Sequence, residues 1–508
     1  MTKGREESDG RIRPQGRRKS VVTAATQRGG KATTASQQAR QLGLFRETAD
    51  SPQGADGGAD VDLSTPAPRA APKSRNTRRN DLPAMTMQEV ASEENLRRAF
   101  QQVSSNKGAP GPDRQSVAEV RQHLGEILLA LQRELLNGSY RPGDIRRVWL
   151  PKPGGGQRGL GIPNVVDRIV GQAVHQVLSP HYEPTFHESS HGFRPGRSCH
   201  TAIAEARQYL EDGYEWVVDF DLEKFFDRVH HQRLLARLQC KVDDRQLLSL
   251  IHQMLKAKVV MPDGVVVSTD EGVPQGGPLS PLLSNIVLDE LDWELQQRGH
   301  RFVRYADDCN IYVCSERSGQ RVMASIVRFI ERRLRLKVNA QKSAVSRPEK
   351  RHFVGFSLRR EPLDGNVEVH LSERSKSRID ERIRELTPRT WGQSLRDCIH
   401  RVNEYFLGWM SFFHIVSDTT ALTALDAHTR RRLRAIAIRH WRKKRRDNWR
   451  PLKPGRRSWW FLSNTSRVTR ALSNARFAER GLVSLVAEWQ SCQLSKVTAP
   501  VQHSLALG

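Results

Sequence analysis

The chain is poor in the features that stabilise secreted and membrane proteins. Its 508 residues include only six cysteines, and these are scattered through the sequence. The one close pair, Cys309 and Cys314, has a spacing that fits neither a zinc knuckle nor a redox motif, so we expect reduced thiols. We find no apolar run long enough to cross a bilayer and no signal-peptide core. These absences argue against a disulfide framework and a membrane-spanning protein, and they favour the cytoplasm.

Acidic residues are also in deficit. The 82 lysines and arginines exceed the 56 aspartates and glutamates, which gives a formal net charge of +26 and a sequence pI near 10.4. A protein this basic is expected to bind a polyanion, and nucleic acid is the first candidate. An acidic membrane surface is the rival partner. The 37% hydrophobic content in a chain of this length allows several domains with their own cores.

The composition changes near residue 85. Residues 1–84 are rich in Gly, Ala, Ser, Thr, Gln, Arg and Pro and have few aromatic residues, which predicts a disordered basic extension. Apolar periodicity and loop signals beyond it predict ordered structure. The predicted helices cover residues 93–103, 117–136, 167–178, 282–296, 399–413 and 482–493.

Two adjacent carboxylates form the most informative motif. Asp307 and Asp308 lie between strand-like segments at residues 302–303 and 311–313. A strand, a tight turn and a strand would present both side chains at one exposed tip. Neighbouring like charges are unfavourable unless a cation lies beside them, and hard oxygen ligands suit Mg²⁺. A solvated hairpin turn is the alternative, because Asp is common in turns.

A second acidic motif favours the metal interpretation. Asp221 falls at the end of a β-rich segment that begins at Trp216. Two-metal phosphoryl transfer needs carboxylates from separate segments, which hold two ions about 3.5–4 Å apart. We therefore predict two Mg²⁺ ions bridged by Asp221 and Asp307, with Asp308 as a weaker or accessory ligand.

Basic and glycine-rich segments accompany these acids. Lys152 and Arg158 flank the glycines of a predicted hairpin and are expected to contact a phosphate chain, unless the segment is an ordinary basic hairpin. Gln275, in a Gly- and Pro-rich loop that opens a helix, is a candidate contact to an incoming nucleotide or a template base. Arg194 and Arg197 belong to a basic loop that suits phosphate contact.

Together these motifs resemble those of the group II intron reverse transcriptase/maturases. The resemblance runs from about residue 86 to the end. The motifs stand in the family's order at residues 147–152, 192–198, 221–227, 274–277, 305–308, 336–342 and 353–356. One departure is Gly159, because Arg-Pro-Leu is more usual in the family than Arg158-Gly159-Leu160.

The resemblance implies an α+β right-hand polymerase. Fingers and palm, with an antiparallel sheet, are expected over residues 85–370. An α-helical thumb or maturase (X) domain is expected over 371–446, and a small helical DNA-binding (D-like) region over 447–508. Asp221, Asp307 and Asp308 match the family's catalytic metal ligands, and Lys152 and Arg158 match its triphosphate contacts. Phe226 matches the residue beneath the sugar, where it favours deoxynucleotides, although plain core packing is the alternative.

A basic run at residues 429–446 follows the aromatic segment of the expected thumb. Such like charges repel each other unless an anion neutralises them, which favours RNA contact over a merely solvated surface. Lys342 belongs to the last palm motif. The predicted nucleic-acid contacts are Arg194, Arg197, Lys342, Arg430, Arg431, Arg434, Arg442 and Lys443.

The function implied is that of an RNA-directed DNA polymerase and intron maturase. Such a protein binds group II intron RNA, assists its splicing and, using dNTPs and a DNA target and primer, copies it into DNA during retrohoming. With neither CxxC pairs nor an endonuclease domain before Gly508, the chain resembles the endonuclease-lacking bacterial type, expected in the cytoplasm and at the nucleoid during integration. The alternatives are an intron-independent reverse transcriptase in DNA repair or phage defence, and a non-catalytic RNA-binding splicing factor. The three aspartates argue against the last.

Overall fold

The structure is a computed structural model that describes residues 84–151, 156–268, 270–361, 365–390, 392, 394–447 and 473–498, with the side chains of 441–447 and 495–498 left out. Nearly all of the predicted N-terminal extension therefore lies outside the described residues, as does much of the predicted DNA-binding region. Lys152 and the side chains of Arg442 and Lys443 lie outside them as well.

Helices form most of the described chain. They are α1 (Met87–Val90), α2 (Glu93–Ser105), α3 (Val117–Gln122), α4 (Leu124–Leu136), α5 (Val165–Tyr182), α6 (Cys199–Glu211), α7 (His231–Gln239), α8 (Arg245–Leu255), α9 (Ser280–Gln297), α10 (Glu316–Phe329), α11 (Glu373–Leu386), α12 (Leu395–Phe413), α13 (Thr420–Asp447), α14 (Asn474–Glu479) and α15 (Leu485–Thr498). A short 3₁₀ turn, Phe225–Asp227, follows the first acidic motif.

The strands are shorter and form three sheets. They are β1 (Ile145–Pro151), β2 (Gln157–Ile162), β3 (Trp216–Phe220), β4 (Val259–Val260), β5 (Val266–Val267), β6 (Arg301–Tyr305), β7 (Asp308–Val313), β8 (Ala344–Ser346), β9 (Phe356–Arg360) and β10 (Val367–Leu371). The first sheet has the order β2-β1-β4-β5, the central sheet has the order β6-β7-β3-β8, and β9 and β10 form a hairpin. The pairs of the central sheet are antiparallel.

Local sequence signals explain several helix starts. The Ser92 hydroxyl accepts a hydrogen bond from the Asn95 N–H at the start of α2, and Ser116 and Glu119 form a capping box at the start of α3. The helix predicted over residues 117–136 is divided at His123, whose φ of −110° and ψ of 23° leave the helical region. The other predicted helices are present, with ends displaced by a few residues.

The central sheet has a hydrophobic core on each face, because successive side chains of a strand point to opposite sides. Val218 pairs with Ile311, and both face a core shared with α2, α5 and α9. Val217 pairs with Tyr312, and both face a second core shared with α6, the β9–β10 hairpin, α11 and α12. The C-terminal helices therefore help to cover one face of the sheet.

Arg304 on β6 is fully buried beneath the end of the central sheet. Its Nε and Nη2 donate to the two carboxylate oxygens of Asp292 on α9, at 2.7 and 2.5 Å. Other donations reach Asn285 Oδ1 at 3.0 Å, the Ala306 carbonyl at 2.8 Å and Ser190 Oγ at 2.6 Å. A buried guanidinium needs both a countercharge and filled hydrogen bonds, and Arg304 has both.

The expected mixture of helices with an antiparallel sheet is confirmed. Within the described residues, no helix combines the length and the apolar character needed to cross a bilayer.

We expect Arg304→Met to lower the free energy of unfolding by about 3–5 kcal/mol, because it leaves the Asp292 carboxylate buried without a countercharge. Urea denaturation followed by circular dichroism measures the loss. The double variant Arg304→Met/Asp292→Leu should recover much of it, since neither buried charge remains. Arg207→Met, which breaks the exposed pair with Glu211 on α6, is the control and should cost less than about 1 kcal/mol. A double variant no more stable than Arg304→Met would contradict this account.

Candidate active site

The turn of the β6–β7 hairpin brings Asp307 and Asp308 to one tip of the central sheet. Tyr305 pairs with Asp308 across the hairpin, which leaves Ala306 and Asp307 in the turn. Ala306 has a φ of +57°, in the left-handed region that residues other than Gly rarely adopt. Arg304 Nη1 donates to the Ala306 carbonyl and so helps to hold this conformation.

Gly192 packs against the same turn. A Cβ built at Gly192 would lie 2.1 Å from the Ala306 nitrogen, so a larger residue would displace the turn. The Gly192 carbonyl accepts a hydrogen bond from Asn285 Nδ2 at 2.9 Å, which fixes the loop from its other side. The basic loop that was predicted to contact phosphate therefore also supports the hairpin that carries the carboxylates.

Asp221 comes next to Asp308 because β3 and β7 are antiparallel partners. The last registered pair of these strands is Phe220 with Cys309, and Asp221 and Asp308 stand one step further along. The Asp221 N–H donates to Ser343 Oγ at 3.1 Å, which ties the end of β3 to the start of β8. The structure thus places Asp221 beside the Asp307–Asp308 pair, from which it lies far away in the sequence.

Lys342 lies beside Asp221. The Asn339 N–H donates to the Asp221 carbonyl at 2.8 Å, and Lys342 Nζ is 3.4 Å from Asp221 Oδ2. Because the Lys342 side chain is largely exposed, this ion pair contributes at most about 1 kcal/mol. Lys342, which was predicted to contact nucleic acid, therefore also offsets the charge of one carboxylate.

The crowded carboxylates resist ionisation. Desolvation and the charge of Asp221 raise the pKa of Asp307, while the charge of Arg158 opposes the shift. Desolvation, followed by the charges of Asp307, Asp219 and Asp221, raises the pKa of Asp308 to about 7. Because Asp308 is exposed at the start of β7, solvent moderates this shift without changing its direction.

These carboxylates fit a divalent cation that brings some of its own ligands. In the part of the chain that the structure describes, no three acidic, histidine or cysteine side chains converge closely enough to make a complete metal site. Mg²⁺ usually takes only one or two carboxylates from a protein and fills its shell with water and substrate phosphates. A cation of this kind would also relieve the repulsion between Asp307 and Asp308. The donor set therefore suits Mg²⁺ bound together with a nucleotide.

Two residues predicted to bind nucleotide meet beside these acids. Arg158 Nε donates to Gln275 Oε1 at 3.1 Å, and the Arg158 charge acts on Asp307. Phe226 is buried and packs edge-to-face on Phe225, with ring centroids 5.2 Å apart, as the core alternative predicted.

A glycine-rich loop holds Gln275 between β2 and the turn that follows Asp221. A Cβ at Gly276 would lie 2.4 Å from the Gly161 carbonyl oxygen, and one at Gly272 would lie 2.9 Å from the Phe226 carbonyl oxygen. Both glycines have a positive φ, which other residues rarely adopt. The loop therefore joins the first sheet to the acidic site through close backbone contacts.

Arg194 has an internal role instead of the predicted phosphate contact. Its side chain is buried, and Nε donates to Glu183 Oε1 at 2.6 Å. Nη1 donates to the carbonyls of His187 and Ser190 at 2.6 and 2.8 Å. Because these donors are used inside the protein, the prediction for Arg194 is corrected. Arg197 is half-buried at the surface of the same loop.

The basic helix α13 uses two of its predicted RNA contacts in internal packing. Arg430 Nη1 lies 3.8 Å from Asp426 Oδ2, one turn earlier on the helix. Arg434 Nη2 donates to Asn474 Oδ1 on α14 at 2.5 Å. Asp426 offsets part of the charge of Arg430, whereas the neutral Asn474 only occupies a donor of Arg434.

Three more arginines of α13 differ in their surroundings: one packs against α11, and two are exposed. Arg432 Nη2 donates to the carbonyls of Arg384 and Thr387, at 3.1 and 2.6 Å, and so caps the end of α11. Arg431 is exposed, as is Arg439 two turns later. The exposed arginines keep their predicted availability to RNA.

Asp219 and Arg351 were missed by the sequence analysis. Asp219 lies two residues before Asp221, and its Oδ2 accepts from Arg351 Nε at 2.8 Å and from Nη2. An acidic residue inside an apolar strand was the available signal, because a half-buried carboxylate needs a partner. The sequence around Arg351 held no corresponding signal.

Two family models match the chain. One, described as reverse transcriptase (RNA-dependent DNA polymerase), matches residues 150–358, and the other, described as group II intron, maturase-specific domain, matches residues 376–453. The chain therefore contains a reverse transcriptase domain followed by a group II intron maturase-specific domain. Asp221, Asp307 and Asp308 fall within the first match, and α13 falls within the second.

The chain matches about half of the length of one curated relative and about a third of another. Protein YkfC of Escherichia coli is 42% identical over 200 residues, which are 38% of this chain and 52% of YkfC. Group II intron-encoded protein LtrA of Lactococcus lactis is 36% identical over 210 residues, 41% of this chain and 34% of LtrA. A chain of a partial Cas6-RT-Cas1–Cas2 complex matches with 24% identity and a TM-score of 0.32, covering 48% of this chain and 42% of that one. A TM-score this low supports no argument.

We expect Asp308→Asn to raise the melting temperature of the metal-free protein at about pH 8, because it removes a crowded negative charge. The pKa of Asp308 in the folded protein is raised from 3.8 to about 7. The wild-type protein therefore loses stability as the pH rises from about 4 to about 7, and the loss is constant above that range.

The advantage of Asp308→Asn should accordingly be near zero at about pH 4, grow up to about pH 7 and then level off. Differential scanning calorimetry in EDTA measures it. Asp263→Asn, in the exposed β4–β5 turn, is the control and should show no such trend. An advantage of equal size at about pH 4 and about pH 8 would exclude charge repulsion as its cause.

Proposed function

We propose that the chain is an RNA-directed DNA polymerase that also binds intron RNA as a maturase. One observation carries the polymerase proposal: Asp221 and the Asp307–Asp308 pair stand at adjoining strand ends, next to Arg158 and Gln275. Carboxylates that repel one another beside a fixed cation suit a metal-bound triphosphate. A merely solvated hairpin turn requires neither the converging third aspartate nor the neighbouring arginine.

The proposed reaction is nucleotidyl transfer. The 3′-hydroxyl of a primer attacks the α-phosphate of a dNTP, a new phosphodiester bond forms, and pyrophosphate leaves. Asp221 and Asp307, with Asp308 as an accessory ligand, would hold two Mg²⁺ ions, whose charge stabilises the attacking and leaving oxygens. The register that sets Asp221 beside Asp308, with Asp307 in the adjoining turn, supports this assignment of ligands.

Residues proposed to contact the nucleotide lie next to the acidic residues. Arg158 binds the triphosphate, and Lys152, which lies outside the described residues, is proposed as a second cation. Gln275, held by Arg158, contacts the nucleotide or its template base. The ring of Phe226 lies beneath the sugar and excludes a 2′-hydroxyl.

The right-hand architecture is part of the same proposal. Residues 85–370 form the fingers and palm, in which the first sheet belongs to the fingers and the central sheet to the palm. Residues 371–446 form the thumb or maturase domain, and 447–508 form a DNA-binding region. The order of the two family matches, reverse transcriptase before maturase, supports this division.

As a maturase, the protein stabilises folded group II intron RNA through its basic surface, while the splicing chemistry belongs to the RNA. Arg431 and Arg439 supply exposed charge on α13, and Lys342 supplies it beside Asp221. Arg197, which is half-buried and donates to the Glu188 carbonyl, is proposed as a further contact. The protein then copies the intron into DNA from a primer at the DNA target, which places it at the nucleoid of a bacterial cell during integration.

We expect Asp307→Asn to reduce primer extension on an RNA template by about 100-fold or more, because it removes a negative ligand from the centre of charge stabilisation. Binding of intron RNA and assistance to splicing should change little. Asp263→Asn, which neutralises an aspartate in another hairpin turn, is the matched control and should leave extension intact. Equal loss of extension and splicing in a folded Asp307→Asn protein would contradict the division of labour.

The maturase surface predicts a change in salt dependence. The slope of log affinity against log salt concentration is negative. Arg431→Ala and Arg439→Ala should each make it less steep by about 0.7, the value for one lost phosphate contact on a single strand. Filter binding over a series of KCl concentrations measures it. Arg97→Ala, which removes an exposed arginine paired with Glu93 on α2, is the control. An unchanged slope in both α13 variants would place the RNA elsewhere.

A further inference from the structure

Trp149 is an exposed aromatic side chain on β1, the strand that leads into the Lys152–Arg158 hairpin. Its exposure is 43%. Arg147, on the same face of the strand, places its guanidinium carbon 5.7 Å from the centroid of the ring. A single exposed apolar residue is ordinary by itself, so a binding role depends on how the ring is held.

Gly159, on the neighbouring strand, leaves the space in which the Trp149 ring lies. It is the registered partner of Trp149 in the β1–β2 pair. A Cβ at Gly159 would lie 3.0 Å from Trp149 Cζ3 and 2.7 Å from Arg147 Nη1, and Arg147 Nη1 donates to the Gly159 carbonyl at 3.1 Å. A Cβ at this position would force the Arg147 guanidinium or the Trp149 ring to shift. Gly159 and Trp149 are therefore two parts of one arrangement.

This arrangement lies at the edge of the proposed active site. Arg158, the residue before Gly159, contacts Gln275 and acts on Asp307. Successive residues of a strand face opposite sides, so Trp149 and Gly159 are on the other face of the hairpin from Arg158. Arg158 and Trp149 therefore lie on the two faces of one hairpin, next to the acidic site.

We propose that Trp149, backed by Gly159 and Arg147, is a stacking platform for an unpaired base of the template, ahead of the segment being copied. The inference rests on the proposed polymerase function, because only a template-directed enzyme keeps such an unpaired segment there. Unpaired bases stack on aromatic rings, and cations beside the ring bind the phosphates between the bases. Among the described residues no carboxylate pairs with Arg147, which leaves its charge available to a polyanion.

Trp293 provides a comparison within the same protein. Its exposure, 42%, matches that of Trp149. It lies on α9 and packs edge-on against His187, with ring centroids 5.4 Å apart, and no glycine or arginine contact of the kind seen at Trp149 is recorded for it in the described residues. Exposure alone therefore does not separate the two tryptophans, but their surroundings do.

The test compares two RNA-template/DNA-primer duplexes that differ in a single feature. One is blunt and the other has an unpaired 5′ template overhang that carries a 2-aminopurine. Affinities are measured by fluorescence anisotropy without dNTPs, at one salt concentration. We expect Trp149→Ala to weaken binding of the overhang duplex about fivefold or more, the fold-change that corresponds to ~1 kcal/mol of lost stacking, and to leave the blunt duplex unaffected.

Several variants keep the test decisive. Trp149→Phe should retain most of the affinity, Trp149→Leu should lose it although it keeps apolar bulk, and Trp293→Ala should match the wild type. Binding should quench the 2-aminopurine in the wild type but not in Trp149→Leu. Equal effects on both duplexes, or no effect on either, would overturn the platform, as would a Leu variant that binds like Phe. Primer extension by the wild type is measured in parallel, and its absence would overturn the polymerase function even where the overhang effect is found.

Discussion

The buried ion pair between Arg304 and Asp292 is the interaction on which the acidic site depends. It joins the β6–β7 hairpin to α9, and the remaining donors of the same guanidinium reach Ser190 and the Ala306 carbonyl. Burial of two charges is costly, and it is tolerated because the hydrogen bonds of the guanidinium are filled. The position of Asp307 is therefore set from inside the protein, by a hydrogen-bond network that includes neither the Asp307 nor the Asp308 side chain.

The acidic site concentrates charge that the rest of the fold has to offset. Asp219 is paired with Arg351 and Asp221 with Lys342, so two of the acids near the end of β3 have a protein cation. Desolvation and neighbouring acids raise the pKa of Asp308, which has no such close partner in the described residues. Sites that bind a charged ligand commonly contain side chains that repel one another, because the bound ligand relieves the repulsion. Repulsion among the acids is thus consistent with a site built for a cation and a nucleotide.

The sequence predicted the acidic motifs and the mixed fold because both depend on local pattern. Asp307 and Asp308 stand in a strand–turn–strand pattern, and strand pairing then brings Asp221 beside them. Arg194 was misread because charge is visible in a sequence while burial is not, and its partners come from the fold. The break at His123 in the helix predicted over residues 117–136 was also missed, because apolar periodicity continues across it. Long-range pairings such as Asp219 with Arg351 join residues whose proximity no local pattern encodes.

The two cores on opposite faces of the central sheet have a consequence for how the chain can be divided. Val217, Val303 and Tyr312 lie within the reverse transcriptase match, yet they share a core with Ile379 and Phe406 from the helices of the maturase match. Cutting the chain between the matches would expose an apolar sheet face to water and invite aggregation. The segments within the two matches are consequently not detachable modules, because each supplies part of one shared core.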